Sequence, residues 1–352
     1  MGLGFEIIGT GHYVPGTPVK NEDLARVMST SDEWIYQRSG IRQRHFAPEG
    51  IGASDLATEA SKRAIEAAGI KPTDVDYILF ATMTPDYIFP GSGVLLGAKL
   101  GIPGVPALDI RQQCAAMLFG LQTIDGLIQT GAAKTILFVG AEAHAGFMPW
   151  RDWGALDPKN NREATPEDRE RADRHRALAV LFGDGAGALI FRATDRDAGL
   201  RGMKVHSDGR RAEALHVPGG GFTRRPYWSK EMLDEDMHIP HMDGKELFKF
   251  AVTKLPETAR AILAEKNVSI DQIDWFLAHQ ANKRINEYIR DQLGVPPEKM
   301  PMNIDRFGNT SAATIPILID EEWRKGTLKR DQTAMILALG TGIHWGCGLL
   351  KF

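Results

Sequence analysis

The chain has 352 residues, 43% apolar and 25% charged, with a net charge of -3. That length exceeds a single compact core and predicts two domains or two fused halves. The near-neutral balance excludes a broad basic surface for nucleic acid. Only Cys114 and Cys347 are present, without Cys-x-x-Cys spacing, which excludes a disulfide framework or zinc cluster and fits a reducing cytoplasm.

The opening MGLGFEIIGTG carries no basic n-region and turns at Gly9 to Gly11. It reads as a first strand rather than a signal peptide, and no apolar run reaches the ~20 residues that cross a bilayer. Residues 64–82, AIEAAGIKPTDVDYILFAT, pair a helical pattern with a continuously apolar strand. The same pattern returns at 261–280, AILAEKNVSIDQIDWFLAHQ. A second pair follows in the same order: DIRQQCAAMLFGLQTIDGLIQTGAAKTILFVG echoes NIDRFGNTSAATIPILIDEEWRKGTLKRDQTAMILALG.

The partners stand roughly 200 residues apart each time, as one ancestral unit used twice. The runs VDYILFAT, KTILFVGAE, ALIFRA, IDWFLAH and TAMILALG are strands covered on both faces. The fold class is therefore α/β, with two similar halves around a central layer. The expected division is 1–185, carrying Cys114, and 186–352, carrying His279 and Asn309. In this alignment Cys114 falls opposite Asn309, and His279 opposite Ala81.

Cys114 follows the strand-like PALDI and is expected to open a helix that Gly131 ends. A thiol at a helix N-terminus meets unpaired N–H groups and partial positive charge, which favour the thiolate. His279 ends a strand of a doubly wound sheet, where ligands bind. Asn309, in GNTSAAT, taken alone is a turn or cap residue. The turn Gly340-Thr341-Gly342 lies between two strands and offers a further N–H for an oxyanion. FGDGAGALIF lacks the lysine of a P-loop and reads as a turn feeding a strand. The charged stretch from Ala145 to Arg176 is expected to be a mobile, solvated excursion, with a lid over the donor entrance as its functional reading.

Taken in order, IIGTGHYVP, TSDEWIYQRSGIRQRH, the Cys114 motif, FGDGAGA, HQAN, GNTSAAT and WGCGLLKF resemble the 3-oxoacyl-[acyl-carrier-protein] synthase III family of the thiolase superfamily. The resemblance implies a five-layered αβαβα fold, a cytoplasmic homodimer, and no metal or resident cofactor. The implied reaction is decarboxylative condensation of an acyl-CoA with a malonyl-carrier protein. It further implies Cys114 as the acylated nucleophile, with His279 and Asn309 as its partners. The backbone N–H groups of Cys114 and Thr341 would form the oxyanion hole. Thr30, Trp34, Arg38 and Asn282 would contact CoA, Phe89 would close the acyl pocket across the dimer interface, and Arg284 would dock the carrier. The chain departs from the common pattern at Gln112-Gln113, Ala115-Ala116, Thr341, His344, Asp291 and Gln292.

Other readings stay open at this point. They are a secondary-metabolism ketosynthase with a longer or unusual donor, an acyltransferase to a hydroxyl or amine, and a non-catalytic acyl-binding partner. A papain-like protease shares the residue types, but duplicated α/β strands do not suit it.

Overall fold

The computed structural model describes residues 3–352. Its first sheet uses five strands: β1 (Gly4–Tyr13), β2 (Tyr77–Ala81), β3 (Ala107–Ile110), β4 (Thr135–Glu142) and β5 (Gly185–Thr194). Their spatial order is β1-β5-β4-β2-β3, with β2 parallel to both β3 and β4 and the other pairs antiparallel. The second sheet holds β6 (Gly199–Ser207), β7 (Trp275–Ala278), β8 (Thr333–Gly340) and β9 (His344–Lys351), in the order β7-β8-β9-β6. There β7 and β8 are parallel, and β9 runs antiparallel to β8 and β6. The opening segment is thus a strand, and FGDGAGA leads into β5 as a turn. Because β5 pairs within the first sheet, the division between halves falls after Thr194, not at 185/186.

The outer helices α1 (Asp32–Ser39), α2 (Ala53–Ala68) and α3 (Ser92–Lys99) belong to the first half. Of these, α2 and α3 cover one face of the first sheet. The helices α4 (Ala116–Gln129) and α8 (Thr314–Arg324) each touch strands of both sheets. Between them in sequence lie α5 (Pro166–Arg174), α6 (Gly244–Lys266) and α7 (Lys283–Leu293). Helix α6 packs on the second sheet with α7 beside it. The layers therefore run helix, sheet, helix pair, sheet, helix. Strand β4 is buried along its whole length, because a sheet inside such a stack has no solvent face.

The two halves superpose in sequence with an offset of 198: Thr135 of β4 falls on Thr333 of β8, and Ala116 of α4 on Thr314 of α8. His279 then falls on Ala81, as expected. Cys114, however, falls on Ala312 rather than Asn309. The short turns Gln113–Ala115 and Ser311–Ala313 are the true counterparts, and each begins on a non-glycine residue at positive φ, 50° at Gln113 and 47° at Ser311. A strand, Ala107–Ile110, leads to the first turn and a short helix, Ile304–Phe307, to the second, so the residues just before the two turns do not correspond by sequence.

The stretch 145–176 is not a loose excursion. Trp150, Leu156 and Ala172 are buried with Leu24, Val27 and Met28 in one apolar cluster. Arg26 donates to the carbonyls of Ala155 and Asn160 at 2.9 and 2.8 Å. Asp173 accepts from the backbone and hydroxyl of Ser29, and Arg171 pairs with Asp236 at 3.0 Å. Lys159, Arg162, Glu163, Glu167 and Glu170 are exposed as expected, while Arg171 and Asp173 turn to partners remote in sequence and fasten the stretch to the body. Among the described residues no helix is long and apolar enough to cross a membrane.

Candidate active site

One cavity, enclosing roughly 1110 Å³ including its open mouth, is bordered by Cys114, His279 and Asn309 together with Gly340 and Thr341. Trp34, Arg38 and Asn282 border the same cavity. Arg38 is exposed, whereas Cys114, His279 and Asn309 are buried at 7, 6 and 4% exposure. The space therefore runs from solvent at α1 to the three reactive side chains. Its walls are apolar, with Leu215, Met242, Leu247, Phe248 and Ala251 on one side and Val180 on another.

Cys114 sits in the turn Gln113–Ala115, and helix α4 starts at Ala116, two residues later than expected. The Ala115 N–H closes this turn on Gln112 O at 3.0 Å, whereas the Cys114 N–H has no backbone acceptor among the described residues and stays available. Gly340 presses on them: a β-carbon there would lie 3.1 Å from Cys114 N and 2.9 Å from Ala115 N. The strand end β8 and the turn carrying Cys114 thus share one surface, which puts the Thr341 backbone near Cys114. The Thr341 hydroxyl hydrogen-bonds the Leu215 carbonyl and steadies the turn.

The Cys114 sulfur lies 3.4 Å from the Ser311 hydroxyl. Burial pushes its thiol up to about 12, and the nearby Glu142 carboxyl acts in the same direction. Burial therefore works against the thiolate that the start of the turn would favour. Burial likewise lowers His279 to about 3, which leaves a neutral imidazole.

His279 continues the sheet through its N–H to Leu337 O, 2.8 Å, and its Nδ1 lies 2.7 Å from Thr314 Oγ1. Asn309 is held by its backbone, which donates to Leu181 O and accepts from Gly183 N. Its Oδ1 accepts from Ser311 N at 2.8 Å. A backbone N–H only donates, so the amide oxygen is fixed and Nδ2 is left for the cavity. Glu142, fully buried with its pKa raised by burial, accepts from Thr82, Met83, Thr84 and Ala312. It ties the turn after β2 to the turn carrying Ser311.

At the mouth, Ser31 caps α1 by accepting from Trp34 N, 3.1 Å. Asn282 caps α7 by accepting from Arg284 N and donates to Arg38 O at 2.9 and 2.8 Å. Guanidiniums of Arg38 and Arg176 lie 4.3 and 4.4 Å from the Trp34 ring centre. Sequence reading missed Arg176, Ser311, Thr314 and Glu142. Only Glu142 left a signal, as the single charge ending an apolar strand. Thr30, Phe89 and Arg284 do not border the cavity. The Thr30 hydroxyl is buried without a partner, Phe89 is 79% exposed, and Arg284 stands on the exposed first turn of α7.

Two repeated α/β halves around a paired-helix layer, with cysteine, histidine and asparagine at one buried cavity, define a thiolase-fold condensing enzyme. The family described as 3-oxoacyl-[acyl-carrier-protein (ACP)] synthase III matches residues 108–157, and its C-terminal counterpart matches 263–352. The chain is 37% identical to the β-ketoacyl-[acyl-carrier-protein] synthase III of Rhizorhabdus wittichii, over 98% of both chains. It is similar to the crystal structure of the 3-oxoacyl-[acyl-carrier-protein] synthase III of Aquifex aeolicus, with 34% identity and a TM-score of 0.84, covering 99% of this chain and 100% of that one. The corresponding enzyme of Pseudomonas aeruginosa gives 31% identity and a TM-score of 0.83, covering 99 and 98%. The chain belongs to the β-ketoacyl-[acyl-carrier-protein] synthase III family and is a condensing acyltransferase.

Proposed function

We propose that this enzyme loads an acyl group from acyl-CoA onto Cys114 and condenses it with a malonyl-carrier-protein thioester. The observation that carries the reading is the convergence of Cys114, His279 and Asn309 at the buried end of a cavity whose open end holds Trp34, Arg38 and Asn282. A flat aromatic ring with two guanidiniums close to it suits a purine and its phosphates. The apolar walls suit a narrow thioester arm.

In the first stage the Cys114 sulfur attacks the thioester carbonyl, and the backbone N–H groups of Cys114 and Thr341 receive the oxyanion. The CoA sulfur then leaves. In the second stage the malonyl thioester enters with its carbonyl toward Asn309 Nδ2 and His279 Nε2. Loss of CO2 leaves an enolate, whose carbon attacks the acyl-Cys114 carbonyl and expels the Cys114 sulfur. Arg284, beside the mouth, is the proposed contact for the carrier. Phe89 is the proposed contact across a homodimer.

The test measures the half-reactions separately. Cys114→Ala should form no acyl-enzyme by intact mass. Asn309→Ala should still be acylated but lose roughly 10²–10³-fold in condensation, as for other oxyanion donors. Full acyl-enzyme formation in Cys114→Ala refutes the nucleophile.

A further inference from the structure

The His279 ring is oriented by a hydroxyl pair that the three-residue picture leaves out. Thr314 opens α8, and its Oγ1 lies 3.0 Å from Ser311 O and 2.7 Å from His279 Nδ1. Thr314 is 2% exposed and Ser311 is fully buried, so water does not compete for either contact. A threonine hydroxyl has one hydrogen, and a carbonyl oxygen only accepts. That hydrogen therefore points to Ser311 O, and the Thr314 oxygen receives a hydrogen from Nδ1. A neutral imidazole has a single N–H, which leaves Nε2 with its lone pair. Nε2 has no protein partner among the described residues, is not sealed from solvent, and belongs to a ring that borders the cavity shared with Cys114.

We propose that Thr314 is a positioning residue that fixes His279 as the Nδ1–H tautomer, so that one nitrogen, Nε2, serves both half-reactions. The proposal rests on the condensing reading above. In acyl transfer, Nε2 takes the Cys114 thiol proton as the sulfur–carbon bond forms. The thioester carbon–sulfur bond breaks, and CoA leaves as a thiolate that is protonated in solvent. The proton held on Nε2 then faces the carbonyl oxygen of the malonyl thioester and stabilises the enolate left by CO2. When the enolate carbon attacks the acyl group, Cys114 departs as a thiolate and recovers its proton from Nε2. Every proton is accounted for, and the ring nitrogen facing Thr314 never changes state.

Burial disfavours the charged ring. Imidazolium thus forms beside an oxyanion, persists while CoA is exchanged for the malonyl thioester, and is then matched by the enolate and the departing Cys114 thiolate. The opposite hydroxyl orientation would give up the hydroxyl donor to Ser311 O, leaving it only the Thr314 N–H, and would present Nε2–H to a protonated thiol. Acyl transfer would then lack its acceptor.

Thr314→Val removes the hydroxyl at similar volume, whereas Thr314→Ser keeps it. Single-turnover acylation of Cys114, followed by mass, should slow at least about tenfold in the valine variant while KM for acyl-CoA moves less than about twofold. The serine variant should recover the rate. Equal impairment of both variants, or acylation of the valine variant at the parent rate, overturns the proposal. Nitrogen-15 spectra of the unmodified enzyme with labelled histidine, assigned through His279→Gln, decide the tautomer even where a variant does not fold. A protonated Nδ1 with bare Nε2 supports the proposal, and the reverse overturns it. Failure of the unmodified enzyme to take up any acyl group refutes the condensing reading instead, independently of the tautomer.

Discussion

Gly340 rests directly on the turn that carries Cys114, in a gap with no room for a methyl group. A β-carbon at position 340 would lie 2.6 Å from Gln112 O, 2.9 Å from Ala115 N and 3.1 Å from Cys114 N. All three atoms are backbone, so none can rotate aside. Gly340→Ala should push the nucleophile away from the Thr341 amide and slow acylation on the order of 10²-fold, the usual effect of a ~1 Å misplacement. The overpacking should lower stability by about 1–3 kcal/mol. An acyl-enzyme time course by mass, set beside a denaturant melt, checks both. Parent-like acylation would mean that the contact does not position the sulfur.

The resting charge state gives a second expectation. The Cys114 thiol is pushed up to about 12 by burial and by Glu142. Below that value the thiolate fraction rises tenfold with each pH unit. Iodoacetamide labelling of Cys114 should therefore climb steadily between about pH 7 and 9 without reaching a plateau. A plateau near neutrality would reveal a stabilised thiolate and a site unlike the one described.

Much of this was legible in the sequence because continuous apolar runs and their repetition survive without knowledge of packing. The runs around Leu79, Val139 and Ile336 are buried strands of a five-layer stack, as their composition requires. His279 stood out because it ends the apolar run IDWFLA, while Cys114 and Asn309 stood out through the small-residue motifs around them, and all three border one cavity. The partner of Cys114 across the repeat was not, since a turn at positive φ preserves shape with different letters, Gln113 against Ser311. Arg176 and Thr314 were hidden for another reason. A guanidinium above Trp34 and a hydroxyl beside His279 arise from folding, and ordinary helix-start residues carry no mark of it. The charges of 166–174 misled because Asp236, the partner of Arg171, lies far along the chain.

That ion pair supports a third expectation. The Arg171 and Asp236 side chains are 10 and 8% exposed, and Arg174 also reaches Asp236 at 3.0 Å. Asp236→Ala takes the nearest carboxylate from the buried Arg171 guanidinium, leaving Glu167 at 3.3 Å and Asp168 at 3.6 Å, and should cost about 1–3 kcal/mol of stability. Arg162→Ala, removing an ion pair whose arginine is 64% exposed, should cost less than about 1 kcal/mol. Because Met242, a few residues beyond Asp236, borders the cavity, KM for acyl-CoA should also rise in Asp236→Ala. Equal melting curves for the two variants would mean that the network does not hold the two segments together.

The proposed homodimer is tested at the outer edge of the first sheet. Strand β3 ends that sheet with an unpaired edge, and Leu108 on it is 40% exposed. Nearby in the chain, Tyr87, Ile88 and Phe89 are 61, 51 and 79% exposed, and Val94 of α3 is 51% exposed. Large apolar side chains grouped beside an open edge strand invite pairing with another copy. Phe89→Asp would bury a carboxylate in such a contact and should weaken self-association by about 2 kcal/mol or more, roughly 30-fold in Kd. Sedimentation over a concentration series reads that shift directly. A parent protein that stays monomeric throughout, or a variant with unchanged Kd, would remove Phe89 from the interface and with it the proposal that one subunit closes the acyl pocket of the other.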